Sequence, residues 1–392
     1  MTLAEEKHNE VLLADEARDG VKEEVRSGFL DWLHQFSLTG EDGKLYYVGG
    51  SILSLAQERL DVVSINYTTG SGAVRQLPGS IYKVAEYPGK EHFRRLYREK
   101  AGTLEISVQD GCVVVTCGPA YKVTCFAPES VGTVNADHRW HLEIRTKDDE
   151  YQADLWHNPA GRPLWYGRTV PSALTQHSIT YGYNWAGNVE GWIRCGKDAE
   201  PVRVKGRGIR ERYVAVDSSA AELGAWEDWG WIAFDEIHSS LYDMRAGMKD
   251  FSVYDLVTGR HYASDGRLKG GNHQGDTMAI EHSDWVFLRE LDGFIPERYK
   301  ISIRTEDGVL EACAHVGNAT TWGVTYQVPD NPVATLMFDK VEGRFIANDG
   351  SVRILHNGRG TMSVRQWHAY PNILPRELYS DNILSGEKFD TL

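Results

Sequence analysis

From Asp31 onward the chain alternates between apolar and polar positions. Runs such as LYYVGGSILSL, GTLEISVQ, CVVVTCG, YKVTCFA and HLEIRTK are short and rich in β-branched residues. Period-two runs of this kind place one set of side chains on each face of a strand. Turn formers, EDGK, YPGK and QDG among them, separate the runs. The same style returns in DFSVYDL, YKISIRT, GVLEACAHV, TWGVTYQV, ATLMFD and SVRILH. No alternation of strand with long helix appears, which excludes a doubly wound nucleotide-binding sheet. Many short strands at close spacing predict an all-β chain of barrels or sandwiches.

The pattern also repeats at long range. Gly-Arg-Gly at Gly206 recurs at Gly358. Val-Glu-Gly stands 17 residues before each, at Val189 and Val341. Ile-Arg-Thr occurs at Ile144 and Ile303, and Asp-Trp at Asp31 and Asp228. Four echoes in one order predict a duplicated domain. The span from Asp-Trp to Ile-Arg-Thr is longer in the first half, which predicts an insertion there of about 38 residues. The expected organisation is an acidic tail or helix over 1–28, a first β-barrel over 29–225, a second over 226–370, and a C-terminal tail over 371–392. A linker is expected near Ser218–Gly224.

Composition narrows the class. A chain of 392 residues suits two or three domains, each able to bury a core. A net charge of −14 argues against a nucleic-acid partner. No apolar run is long enough to span a bilayer, and the N-terminus lacks the basic and apolar regions of a secretory signal. Five cysteines without a CxxC pair suit a reducing compartment, so a cytoplasmic protein is expected. Twelve tryptophans, eight of them between Trp140 and Trp231, are the most informative feature.

Several chemistries are excluded by spacing. Asp137, His138 and His141 do not line up as metal ligands, because strand residues three apart face opposite sides. Glu281, His282 and Asp284 lack a further ligand at a recognisable spacing, so no metal is expected. There is no GxSxG elbow, and GRGIRE is not a dinucleotide fingerprint. The remaining candidate is Glu211, in the strand GRGIRERY. Alternation puts Ile209, Glu211 and Tyr213 on one face, read as facing the barrel, and Arg210 and Arg212 on the other, read as facing solvent. A carboxyl enclosed by aromatic rings either pairs or holds its proton, and a protonated one is a general acid. A structural ion pair is the alternative. The second copy has Ser363 at the matching position, so the duplicated fold does not itself require the acid. His177, Tyr181, Tyr183 and Trp185 concentrate polar-tipped aromatics before the Val-Glu-Gly strand, and Trp229 and Trp231 open the second half. With Tyr213 these are the candidate substrate-binding residues, and core packing is the competing reading.

These features resemble the AttH-like group of tandem lipocalin-like proteins, which takes in carotenoid 1,2-hydratases, lipocalin-like Diels–Alderases and, more distantly, tocopherol cyclases. The resemblance rests on the duplicated β domain, on Gly206, Gly208 and Glu211 in a Gly-x-Gly strand ending in an acid, and on Trp226, Asp228, Trp229 and Trp231. Ile209 stands where the group usually has an aromatic residue, and Arg212 where a histidine or polar residue often follows the acid. The resemblance implies two lipocalin-like (calycin) β-barrels in tandem and an apolar isoprenoid or polyketide-type substrate. It also implies cofactor-free chemistry: acid-assisted hydration, cyclisation or isomerisation. A pericyclase and a non-catalytic carrier are the alternatives.

Overall fold

Every regular element among the described residues is a β-strand. The computed structural model describes residues 29–55, 60–68, 73–76, 83–86, 96–100, 104–109, 112–126, 139–146, 149–160, 164–166, 180–215, 226–244, 248–263, 278–288, 293–322 and 333–366. The expected tails and the Ser218–Gly224 linker lie outside them.

The first half contributes β1 (Phe29–Gly40), β2 (Leu45–Leu55), β3 (Leu60–Tyr67), β4 (Ala73–Gln76), β5 (Lys83–Glu86), β6 (Leu96–Lys100) and β7 (Leu104–Gln109). It continues with β8 (Cys112–Cys117), β9 (Tyr121–Phe126), β10 (Arg139–Arg145), β11 (Tyr151–Pro159), β12 (Leu164–Tyr166), β13 (Thr180–Cys195) and β14 (Val202–Ala215). The second half contributes β15 (Trp226–Ala233), β16 (Ile237–Met244), β17 (Met248–Asp255), β18 (His261–Ala263) and β19 (Met278–Leu288). It ends with β20 (Gly293–Arg304), β21 (Gly308–Trp322), β22 (Val333–Ala347), β23 (Val352–Leu355) and β24 (Arg359–Gln366).

Two curled 12-stranded sheets result. One runs β6-β3-β2-β1-β14-β13-β11-β10-β9-β8-β7 with β12 added beside β13, the other β18-β17-β16-β15-β24-β22-β21-β20-β19-β5-β4 with β23 added beside β22. The paths correspond strand for strand, with β14 and β24 in the same place. Each sheet encloses its own apolar core. Phe36, Leu38, Trp140, Leu155 and Trp185 belong to the first, and Ile232, Leu241, Ile301, Phe338 and Met362 to the second.

The correspondence has one exchange. Positions filled in the first sheet by the hairpin β7–β8 are filled in the second by β4–β5, which belongs to the first half. β5 pairs parallel with β19, Val84 opposite Phe287. The extra residues of the first half therefore carry a hairpin that completes the second sheet.

Register also corrects one echo. Trp32 pairs with Arg212, and Asp228 pairs with Val364, the residue 152 positions beyond Arg212. Trp32, not Asp31, thus corresponds to Asp228. A one-residue slip in a strand exchanges the two faces, so the Asp-Trp pairs are not structural equivalents. The other three echoes keep their faces.

Candidate functional site

The two barrels meet along β1, β13 and β14 on one side and β15, β16 and β24 on the other, and also where β12 packs on β17 and where β2 and β3 pack on β21. Side chains at odd positions of β1 point across this seam: Thr361 Oγ1 donates to Gln35 Oε1 at 3.0 Å, and Gln35 Nε2 donates to Ser363 Oγ at 3.3 Å. Ser363 also bonds Thr335 at 3.0 Å. Asn184 Nδ2 on β13 donates to Ser240 Oγ on β16 at 2.6 Å. Between these polar contacts Ala186 and Ile209 pack against Trp231 and Ala233, with Trp229 alongside.

The Gly-Arg-Gly tripeptides clasp the seam from both sides. Arg207 bonds the Phe234 carbonyl and the Asp235 carboxylate of the second barrel. Arg359 reaches back to Thr39 Oγ1 in the first, at 2.8 Å. The glycines let the neighbouring strand approach. A Cβ on Gly208 would stand 2.1 Å from the Phe36 ring, and one on Gly360 2.4 Å from the Trp231 carbonyl.

This packing overturns the expected orientation of GRGIRERY. Arg210 is fully buried and faces the first lumen, in register with His34 and Trp185. Its Nη1 donates to the carbonyls of Leu33 and Glu211. Ile209 and Glu211 face the seam, not the lumen. Glu211 is buried at 5% exposure, opposite Leu33 on β1 and Asn184 on β13. The expectation failed because both faces of β14 are buried, one by its own barrel and one by the other. The arginine therefore had no solvent face to take.

The remaining candidates divide. Trp229 and Trp231 stand in the seam with Glu211, whereas Trp185 lies in the first lumen, edge-on to Trp140. Tyr181, Tyr183 and Tyr213 lie on β13 and β14 at positions whose side chains are outside the described residues. His177 also lies outside them. Of the residues weighed as metal ligands, His141 bonds Asp154 at 2.9 Å and His282 bonds Asp228 at 2.8 Å.

The seam also holds polar groups that the sequence did not single out. Asn184 Oδ1, Trp231 Nε1, His238 Nδ1 and Ser37 Oγ are buried and have no hydrogen-bond partner among the described residues. Burial, helped by the Arg207 guanidinium and partly opposed by Asp235, pushes the His238 pKa down to about 3. His238 is therefore neutral. The missed signal was the alternation in HQFSLT. Gln35, Ser37 and Thr39 read as a solvated face, yet a second barrel covers that face.

No family model matches the sequence, and no curated protein matches it. Among solved structures, an AttH candidate from Nitrosomonas europaea superposes with a TM-score of 0.51 at 11% identity, over 90% of this chain and 97% of that one. This chain has the same tandem lipocalin-like fold. Kievitone hydratase from Nectria haematococca aligns at a TM-score of 0.44 and 10% identity, over 91% of this chain and 94% of that one. CghA aligns at 0.41 and 10%, over 88% and 90%. With identities this low, the AttH-like likeness is one of fold.

Proposed function

We propose that the seam binds an apolar small molecule of isoprenoid or polyketide type and that Glu211 moves a proton on it. The reaction would be hydration, cyclisation or isomerisation at a C=C or C=O group, without a cofactor. The observation that carries this reading is the set of buried polar groups without hydrogen-bond partners among the described residues, Asn184 Oδ1, Trp231 Nε1 and His238 Nδ1, on the face that Glu211 shares. Buried donors and acceptors are costly to leave unmet, by about 1–3 kcal/mol each, and a ligand or ordered water meets them. Trp229 and Trp231 supply an aromatic wall beside them.

In this reading Trp231 N–H donates to a substrate oxygen and Asn184 Oδ1 accepts from a hydroxyl. The Glu211 carboxyl protonates the alkene or carbonyl, water or an internal nucleophile adds to the resulting cation, and the proton then released returns to the Glu211 carboxylate, so no net proton is consumed. The π-faces of the tryptophans stabilise positive charge as it develops.

The experiment is product analysis by mass spectrometry over a panel of polyenes and enones, followed by Glu211→Gln on any substrate found. Gln keeps the size and a donor but has no proton to release. Turnover should fall by about 10²–10⁴ while ligand binding persists. Retained turnover would remove proton transfer and leave polarisation by Trp231, the pericyclase reading. Binding with no turnover across the panel would make the protein a carrier.

A further inference from the structure

A second polar centre lies in the lumen of the first barrel, on the opposite face of β14 from Glu211. His34 is fully buried there, and His34 Nδ1 stands 3.3 Å from the Tyr121 hydroxyl. That hydroxyl gives its only proton to the Gly50 carbonyl, 2.9 Å away. Tyr121 is therefore the acceptor toward His34, Nδ1 carries the imidazole proton, and Nε2 carries the lone pair. Gly50 permits this arrangement, because a Cβ there would stand 2.2 Å from Tyr121 Cε2.

His34 stays neutral. Burial lowers its pKa well below the ordinary histidine value, and the Arg210 guanidinium and His157 lower it further. Nε2 is thus a permanent acceptor, and no donor reaches it among the described residues. Aromatic rings surround it. Phe36 and His157 lie edge-on at 5.5 and 6.2 Å, and Trp140 at 6.4 Å, with Trp140 stacked on His157 at 5.3 Å. Apart from Arg210 and the polar tips of Trp140, Trp185 and Tyr151, the lumen is lined by apolar side chains.

These contacts define a ligand. A cation is repelled by Arg210, and a carboxylate cannot donate to Nε2. A neutral hydroxyl on a flat apolar ring meets the lone pair and the aromatic edges together. We propose that the first lumen is a separate small-molecule site, in which His34 Nε2 accepts from the hydroxyl of a compact phenol or enol and Tyr121 fixes the tautomer that makes this possible. The site is independent of the seam, and neither reading requires the other.

The test uses the full chain, with 2-naphthol as probe and 2-methoxynaphthalene as a control of similar shape that cannot donate. The ¹⁵N resonances of His34, assigned through His34→Phe, should show an unprotonated Nε2 in the free protein and an upfield Nε2 shift with 2-naphthol. Calorimetry should give 2-naphthol an advantage of about tenfold over the methyl ether, the size of one hydrogen bond, and His34→Phe should abolish it. If His34→Phe does not fold, the wild-type Nε2 shift decides the question. A protonated Nε2 in the free protein would overturn the tautomer and with it the site. An Nε2 resonance unmoved by saturating 2-naphthol would mean that the lumen holds water only. Trp231→Phe separates the two sites. It should leave the His34 shift and the affinity unchanged, and a loss of affinity with static His34 resonances would place the probe in the seam and refute the lumen site alone.

Discussion

The two barrels follow one strand path and differ in what they place along it. On β14 the lumen position is Arg210, and on β24 the matching residue is Met362, part of the apolar core. At the seam Glu211 is matched by Ser363, which only bridges Gln35 and Thr335. The first barrel also completes its sheet with its own hairpin, whereas the second borrows β4–β5. Duplication preserved what the sheet needs: the glycines that admit a close neighbour and the arginines that clasp the seam. The residues with chemical capacity are those that were not preserved.

The largest effect should come from the borrowed hairpin. Replacing Ala73–Glu86 with a short Gly-Ser linker strips β19 of its outer neighbour and leaves an open edge. The second barrel should lose cooperative unfolding, seen as a missing transition in calorimetry and loss of near-ultraviolet circular dichroism. Removing Leu104–Cys117 should instead damage the first barrel. If both deletions gave the same single-barrel loss, the exchange of hairpins would be wrong.

Acid comes next. His34 in the first lumen and His238 in the seam are both neutral in the fold, with pKa values pushed below 6.5. The unfolded chain takes up protons below about pH 6.5 that the folded chain refuses, so stability falls as pH drops. The slope contributed by each histidine is about 1.4 kcal/mol per pH unit at most. For His238 it runs from about pH 6.5 toward about 3. Denaturant titrations between pH 7 and 5 should show this decline, and His238→Gln should make it shallower. A stability that is flat over that range would contradict the buried neutral state.

The smallest effect tests the polar side of the seam. Thr361→Val removes the hydroxyl that donates to Gln35 Oε1 and keeps the shape. It should cost about 1 kcal/mol, read as a lower midpoint in urea. An unchanged midpoint would assign the cohesion of the barrels to Trp231 and its apolar neighbours.

Much of this was legible in the sequence. Period-two runs located most strands, and the echoes located β14 and β24 as equivalents. The orientation of Glu211 was not legible. Alternation divides a strand into two faces but does not say what covers each, and charge points to solvent only where one face is wet. In Ile209-Arg210-Glu211 neither face is. His34 was hidden for the same reason: HQF reads as an ordinary half-buried strand until the lumen around it is known. The exchange of hairpins left no local trace, because β4 and β5 alternate as a hairpin would in either sheet.

The borrowed hairpin also imposes an order on synthesis. β5 leaves the ribosome about two hundred residues before β19, the strand it must join. At roughly 5–20 residues per second that is about 10–40 s with its pairing edge unmet. The first half must therefore hold a strand in reserve while its own sheet forms. The nascent chain should depend on chaperones most during that interval, in which β6 to β14 of the first sheet are themselves still being made.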